Sequence, residues 1–489
     1  MKHCKYLLIH LFLGALCGLP AFGQFDSTYV PLRYSGKVPA VFRETSKQTL
    51  KRDLDKVQAE GELTEAESRE YLITSNFAIR QTFMSGQVYF NEGLTQYLNR
   101  LATNITKHNP KYTGGLNLYT TKFAVPNAAA WRNGIIMFNI GLLAKLETES
   151  QAAFILAHEM AHIQEQHGLQ KYSRAAKANR VKVKKDKKSR RGKAFGRGAL
   201  DMERLFKEYR YSRKYELEAD LLGFEYLKNT EYRSSDALAA LILLKDIDRD
   251  QYVTLPADAL YFPDLLREPG KDSIKKARLA KRKKPRRKRL NRRELRMLDS
   301  LRTHPSIDYR VKRLKRSLPE EDLGKSFLTQ PTEFMYYRNI ARFEVIRSHF
   351  ENFNYHRALY ESLQMLQEYP GNEYLELMTC RSAYWYSFLE EQYPGSQFLP
   401  DTTHLTGQQY AKFVGIFHDR SDNRISDWCL SLIKFYASKN ASTPAFVLLE
   451  AQAEEAFGEV VNALVKYKEA LPLLKETHGR YIKNKLNTL

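Results

Sequence analysis

The chain has 489 residues but only four cysteines. Cys4 and Cys17 lie close to the N-terminus, whereas Cys380 and Cys429 lie far along the chain. The second pair is compatible either with a disulfide in an oxidising compartment or with two buried thiols. No cysteine lies near the histidine pattern described below, which excludes a thiolate-based structural metal site there.

Long apolar runs are missing after residue 24. The strongest run, Ala237 to Leu244, is too short for a membrane span and is typical of a buried helix. An earlier run, Tyr6 to Phe22, follows basic residues and precedes small ones, which predicts a secretory signal peptide over 1–23. We therefore expect an exported protein of the bacterial periplasm, soluble or peripherally attached to a membrane. A lipidated Cys17 and an uncleaved anchor are the alternatives.

Acidic residues are too few to balance the basic ones, and the net charge is +22. Much of the excess lies at 171–197 and 271–296, in two stretches that separate the motifs described next. Like charges at this density predict disordered surface insertions. They could bind anionic membrane lipids, lipopolysaccharide or acidic proteins, or they could be plain solvated loops. Nucleic acid is disfavoured as a partner because no nucleic-acid-binding motif accompanies the charge.

The most specific pattern is a pair of histidines, His158 and His162, in an otherwise apolar run. Two histidines four residues apart share one face of a helix, so both imidazoles can reach one metal ion. Glu159 follows the first histidine and can act as a general base toward a metal-bound water. Gly168 predicts a left-handed cap after this helix. The alternative is a pair of hydrogen-bonded core histidines without a metal.

A catalytic metal needs a third protein ligand and an open coordination position. Glu216 and Asp220 are four residues apart in a second segment with helical periodicity, so they share a face. We expect one of them to bind the ion and the other to accept a hydrogen bond from a ligand histidine. Glu218 points about 200° away from Glu216 on a helix, and it is predicted to be solvent-facing or structural.

These motifs resemble those of the gluzincin zinc metallopeptidases that include HtpX and the CAAX prenyl proteases, over roughly residues 83–318. The similar segments are H-E-M-A-H at 158–162, S-R-x-x-E-x-x-A-D at 212–220, and Thr-His-Pro at 303–305 followed by Arg310. The resemblance implies three groups of residues: zinc ligands His158, His162 and Glu216; the general base Glu159; and the supporting residues Asp220, Arg213 and Arg310.

Two further sets of contacts are predicted less directly. His304 is a candidate donor to the tetrahedral oxyanion, or a removable fourth ligand that blocks the zinc, or a loop histidine fixed by the following proline. The strand from 135 to 138 is expected to present its backbone to an extended peptide at a sheet edge, although a plain core strand is the alternative. The predicted substrate contacts are Asn127, Ala128, Ile135 and Met137.

The absence of apolar spans after residue 24 distinguishes this chain from the membrane-embedded members. It looks more like the exported BepA-type branch, in which tetratricopeptide repeats follow the peptidase domain. From 327 onward, aromatic and small residues recur at helical spacing, and Ala463, Tyr467 and Ala470 suit the second helix of a repeat. The usual tryptophan and glycine positions are missing, so a helical cap on the protease is the alternative. Glycines and prolines predict an irregular insertion at 393–408.

The predicted fold class is therefore α+β, with a mainly helical zincin metallopeptidase core that has a small sheet, followed by an all-α tetratricopeptide-like domain. The predicted segments are a signal peptide (1–23), an N-terminal helical segment (24–82), the peptidase domain (83–320) and the helical domain (327–489).

We expect an exported zinc metalloendopeptidase that cuts unfolded or misassembled envelope proteins. The helical domain would recruit it to them or to an envelope assembly machine. The first alternative is a quality-control scaffold or chaperone with little catalysis, against which the presence of Glu159 argues. The second is a peptidase that acts on itself or on a maturation peptide, with the first basic insertion as a lid or a self-cleavage site.

Overall fold

A computed structural model describes residues 25–32, 53–58, 63–90, 92–131, 134–188, 197–245, 306–393, 410–411, 413–415 and 424–489. The described residues form two compact units. The core unit contains those between Leu32 and Arg342, and the C-terminal unit contains those from Phe343 onward together with 25–31. In the described part of the chain, no helix is both long and apolar enough to cross a membrane.

The core unit is mainly helical and contains a four-stranded sheet, which confirms the predicted α+β class. Its elements are α1 (Glu65–Met84), β1 (Val88–Tyr89), α2 (Glu92–His108), β2 (Asn117–Thr121), β3 (Ala128–Ala130), β4 (Ile135–Asn139), α3 (Ile140–Lys145), α4 (Glu149–Gln164), α5 (His167–Lys188), α6 (Arg197–Lys228), α7 (Asp236–Lys245) and α8 (Ile307–Leu314). The sheet order is β1-β2-β4-β3; β2 and β4 are parallel, and the outer pairs are antiparallel. Strand β4 is thus central, and all of its residues are buried, as a continuous apolar run predicts.

Helix α4 passes through the middle of the core unit. All of its residues except His162 and Gln164 are buried, which is why its sequence is apolar all round rather than striped. Thr148 caps it by accepting a hydrogen bond from the Gln151 amide at 3.2 Å. The fully buried carboxylate of Glu149 anchors the first turn, since it accepts hydrogen bonds from several surrounding donors: the hydroxyls of Tyr97, Tyr232 and Thr329 and the amides of Leu328 and Thr329.

Helix α4 does not end as the sequence suggested. The residue in the left-handed region is Gln166, with φ of 54°, and Gly168 lies inside the first turn of α5. Only two residues separate the helices, so α5 begins immediately beside the end of α4.

Part of the first basic stretch is ordered, so the prediction of disorder is wrong for 171–188, which continue α5. Alanine, lysine and arginine are good helix formers, and the helix has a partner in α1. Tyr172 packs against Tyr71 with ring centroids 5.1 Å apart, and Arg180 forms a two-point ion pair with Glu67. Residues 189–196 and the second basic stretch, 271–296, lie outside the described residues.

From Phe343 onward, all regular elements in the described part of the C-terminal unit are helices. Its helices are the end of α9 (Pro331–Glu351), then α10 (Tyr355–Met365), α11 (Glu373–Gln392), α12 (Arg424–Lys439), α13 (Pro444–Ala456), α14 (Val460–Leu473) and α15 (Lys475–Thr488). From α10 onward each helix packs on the next one along the chain, and the small residues Ala358, Ala383, Ala463 and Ala470 are fully buried. Such packing of successive helices is compatible with the predicted helix-pair array, and the tetratricopeptide-like character of the domain stays a prediction.

Two local features complete this unit. The segment 25–31 is part of it, with Tyr29 stacked on Phe343 at 4.5 Å and donating a hydrogen bond to Glu344 at 2.7 Å. Cys380 and Cys429 are free thiols in one hydrophobic cluster, and burial raises the pKa of Cys429 to about 12. Most of the predicted irregular insertion at 393–408 lies outside the described residues.

Candidate metal centre

Helices α4 and α6 bring together the three predicted ligands. The Nε2 atoms of His158 and His162 lie 3.1 Å apart, and each lies 3.7 Å from a carboxylate oxygen of Glu216. One ligand atom from each residue lies within 4.8 Å of the others, and this is the group of metal-ligating side chains that the described residues form.

The separations between these atoms fit one shared ion. A tetrahedral ion bound at about 2.0–2.1 Å places its ligand atoms roughly 3.3 Å from one another. The distances of 3.1 and 3.7 Å lie on either side of that value. Two imidazoles and a carboxylate are also the donor set of catalytic sites, which use three protein ligands and keep one position open. The residues present therefore fit a divalent metal ion.

Gly223 allows the two helices to approach closely enough for this geometry. A Cβ atom at this position would lie 2.8 Å from the backbone nitrogen and Cα of His158, closer than such contacts occur. Glu216, Asp220 and Gly223 follow the i, i+4, i+7 spacing, so all three lie on the stripe of α6 that faces α4. The role of Gly223 was not predicted, because only the packing of α6 against α4 reveals it.

A buried charge network supports the first histidine. Oδ1 of Asp220 lies 3.1 Å from Nδ1 of His158. Arg310 donates to both oxygens of Asp220, at 2.7 and 2.5 Å, and its Nη1 lies 3.9 Å from Glu216. Because the carboxylate faces Nδ1, the tautomer of His158 is fixed with Nε2 directed at the metal position.

The two candidate ligand histidines differ in their electrostatic surroundings. Burial disfavours protonation of His158, but the facing carboxylate of Asp220 outweighs it and raises the pKa of His158. Burial also disfavours a charged Asp220, yet the hydrogen bonds from Arg310 and the facing imidazole of His158 lower the pKa of that carboxyl. At His162, burial and the neighbouring His158 lower the pKa to about 3. His162 is therefore neutral near pH 7, with a lone pair free for a metal.

A third histidine, absent from the predicted site, lies behind His162. Nδ1 of His167 is 2.9 Å from Nδ1 of His162, and its ring stacks on Tyr215 with centroids 4.6 Å apart. Its Nε2 lies 3.6 Å from Glu218, which had been predicted as solvent-facing or structural and is 42% exposed. Burial lowers the pKa of His167 to about 4. The available signal was a histidine five residues after the motif.

The remaining predicted chemical residues are placed as follows. Glu159 is buried on α4 directly after His158. Arg213 is half-buried on α6, one turn before Glu216. His304 lies outside the described residues, so its three interpretations stay open.

The prediction for the substrate-binding strand needs correction. Ile135 and Met137 lie on β4, whose backbone pairs with β2 on one side and β3 on the other. They cannot present an open edge, and their side chains are buried in a hydrophobic cluster. In the described sheet, β3 is the strand at that edge. Asn127 is exposed beside it, and its carbonyl accepts a hydrogen bond from the Asn139 amide at 3.1 Å. Contacts from Asn127 and Ala128 to a substrate stay predictions.

Comparison with known proteins agrees with this geometry. Residues 90–318 match the sequence profile of the protein family described as Peptidase family M48. The chain is also 27% identical over 92 residues to the beta-barrel assembly-enhancing protease of Yersinia pestis. That alignment spans 19% of this chain and 19% of the relative. The family match and the His158, His162 and Glu216 cluster together support a metallopeptidase domain of family M48 over residues 90–318.

Proposed function

We propose that this protein is an exported zinc-dependent metalloendopeptidase that hydrolyses unfolded or misassembled cell-envelope proteins. The observation that supports this most strongly is the convergence of His158, His162 and Glu216 within 4.8 Å. Glu159, the acid–base residue that such a reaction needs, is buried on the same helix between the two histidines.

The roles of the residues follow from their positions. Zinc would be held by the three ligands and would supply Lewis acidity toward a peptide carbonyl and toward water. Glu159 accepts the proton of the attacking water and passes it to the leaving amine. Asp220 and Arg310 keep His158 and Glu216 oriented. An extended peptide would add to the edge of β3, because an unpaired strand edge binds peptide backbones without regard to most side chains.

The proposed substrate class is supported by features outside the metal site. The signal-peptide pattern at 1–23 suits a protein of the envelope, and the name of the Yersinia pestis relative refers to beta-barrel assembly. The helix-pair array would bind the substrate or an assembly machine. The basic stretches at 171–197 and 271–296 would favour an anionic membrane surface.

Substitution of the proposed base tests catalysis directly. The purified parent should contain one zinc per chain and degrade a permanently unfolded protein, and Glu159→Gln should lower the rate by about 100-fold or more. Glu165→Gln is the matched control, since Glu165 is an exposed residue at the end of the same helix. Both variants should retain zinc. Equal rates for the parent and Glu159→Gln would reject the enzyme and favour the scaffold alternative.

The predicted export is tested separately. After expression in a bacterium with an intact secretion system, the mass of the protein should correspond to a chain that begins at Gln24. A protein that retains residues 1–23 and stays in the cytoplasm would contradict the proposed location.

A further inference from the structure

We infer that His167 is a positioning residue that accepts a hydrogen bond from His162 and holds this ligand in its metal-binding orientation. The inference rests on the proposed metal site. His162 and His167 contact each other through their Nδ1 atoms, 2.9 Å apart, with their rings inclined by 77°.

The hydrogen bond has only one direction once a metal is bound. A ring nitrogen that binds a metal uses its lone pair, and Nε2 of His162 is the atom that faces His158 and Glu216. The proton of a neutral His162 must then be on Nδ1, which makes His162 the donor and Nδ1 of His167 the acceptor. The proton of His167 is consequently on Nε2, on the side of Glu218.

The ring of His167 is held in place by its surroundings. Its side chain is 4% exposed and stacks on Tyr215, over whose ring the guanidinium of Arg174 lies at 5.4 Å. The preceding residue, Gln166, has the left-handed backbone that residues other than glycine seldom adopt. This turn places the first residue of α5 against the last turn of α4, so an otherwise unfavourable conformation serves to bring the two imidazoles together.

The two ligand histidines thus have different supports. Asp220 faces His158 with a carboxylate, whereas His162 meets a neutral imidazole. Partners of metal-binding histidines contribute about 10–100-fold to metal affinity. His167 should contribute within this range by keeping the His162 ring from rotating.

Zinc affinity tests the inference without relying on catalysis. The dissociation constant is measured on the full-length chain with a competing chromophoric chelator, in the Glu159→Gln background. His167→Leu removes the acceptor at similar volume and should weaken zinc binding by about 10–100-fold. His167→Asn places its Oδ1 near the position of the lost Nδ1 and should stay much closer to the parent. The absorption spectrum of the cobalt-loaded site should change in the leucine variant and be retained in the asparagine variant.

The possible outcomes separate the two proposals. Equal zinc affinity of His167→Leu and the parent would overturn the role of His167 and leave the metal site intact. Should the leucine variant fail to fold, His167→Gln takes its place, because it remains polar but displaces the acceptor; affinity equal to that of His167→Asn would then overturn the inference. A parent that binds no zinc contradicts both proposals, and a parent that binds zinc but cleaves nothing contradicts only the proposed function.

Discussion

Both units of the molecule contain buried or partly buried histidines, but the groups around their rings differ. In the core unit, His158 and His162 face the carboxylates of Asp220 and Glu216. In the C-terminal unit, the ring of His356 is hydrogen-bonded to the Tyr410 hydroxyl, and burial together with the neighbouring His349 and Arg357 lowers its pKa to about 3. Burial of a histidine is therefore not a sign of function. The convergence of anionic side chains on its ring nitrogens is what distinguishes the metal site.

Removal of the carboxylate ligand should have the largest effect on the core unit. Glu216→Ala leaves two imidazoles, and it should lower zinc affinity beyond the 10–100-fold expected for supporting residues and abolish peptide cleavage. Glu225→Ala is the control, because Glu225 is an exposed residue of α6 paired with Lys228. Zinc content after gel filtration measures the effect, and stoichiometric zinc in Glu216→Ala would show that this residue is not a ligand.

Removal of Asp220, the buried carboxylate that faces His158, should have the second-largest effect. Asp220→Ala leaves Arg310, which is 6% exposed, without its two-point partner. Removal of one member of a buried ion pair costs about 3–5 kcal/mol. Urea unfolding of the metal-free protein should report this loss. The double variant Asp220→Ala/Arg310→Met should be less destabilised than Asp220→Ala, and simple additivity of the two changes would contradict the pairing.

A larger side chain at Gly223, where α6 packs closely against α4, should have a smaller effect on stability than the loss of Asp220. Gly223→Ala forces a methyl group against the backbone of His158, which should cost about 1–3 kcal/mol and weaken zinc binding. Gly168→Ala is the matched control: it lies in α5, and its Cβ would meet only the Tyr71 hydroxyl at 3.5 Å. A methyl group there should be neutral or stabilise by up to about 1 kcal/mol. Similar effects of both substitutions on zinc binding would remove the role of Gly223.

The last prediction concerns the partly buried His356 of the C-terminal unit, and it should have no effect on zinc binding. Because the pKa of His356 is about 3 in the folded chain and about 6.5 when unfolded, the unfolded state gains a proton first as pH falls. The contribution of His356 to the free energy of unfolding is complete above pH 6.5 and is lost progressively as the pH falls to about 3. Between pH 7 and 5 the loss should be about 2 kcal/mol.

The pH effect is measured by comparing His356→Gln with the parent. The substitution should reduce the difference in urea-unfolding free energy between pH 7 and 5. The fluorescence of Trp385 and Trp428 reports on the C-terminal unit. The exposed His478→Gln is the control and should leave the difference in place. An unchanged pH difference in His356→Gln would contradict the assignment.

The residues of the metal site that were predictable share a local signature. Spacings of four place His158 with His162, and Glu216 with Asp220, on single helix faces, and the structure agrees because such geometry depends only on the helix repeat. His167 and Gly223 act through contacts between helices, which no spacing reports. The position of β4 in the sheet was predicted wrongly for the same reason. Its apolar run is typical of a buried strand, but long-range pairing decides which strands flank it.

Packing between helices also explains why the prediction from charge composition was wrong for residues 171–188. The charge of residues 171–188 predicts repulsion, yet this stretch is helical, and contacts with α1 and the Arg180–Glu67 pair stabilise its part up to Arg180. The α+β class was predictable because the motif segments have helical periodicity and the family that they resemble has a strand before the active-site helix. The arrangement of the C-terminal helices was only partly predictable. Small residues at helical spacing indicate that helices pack closely, but they do not indicate which helices are in contact.

The most direct test of the metal site is a crystal structure of the zinc-loaded chain with anomalous diffraction measured at the zinc edge. We expect one strong anomalous peak bonded to Nε2 of His158, Nε2 of His162 and the carboxylate of Glu216. A peak held by other residues, or the absence of any peak between these three side chains, would contradict the proposed centre.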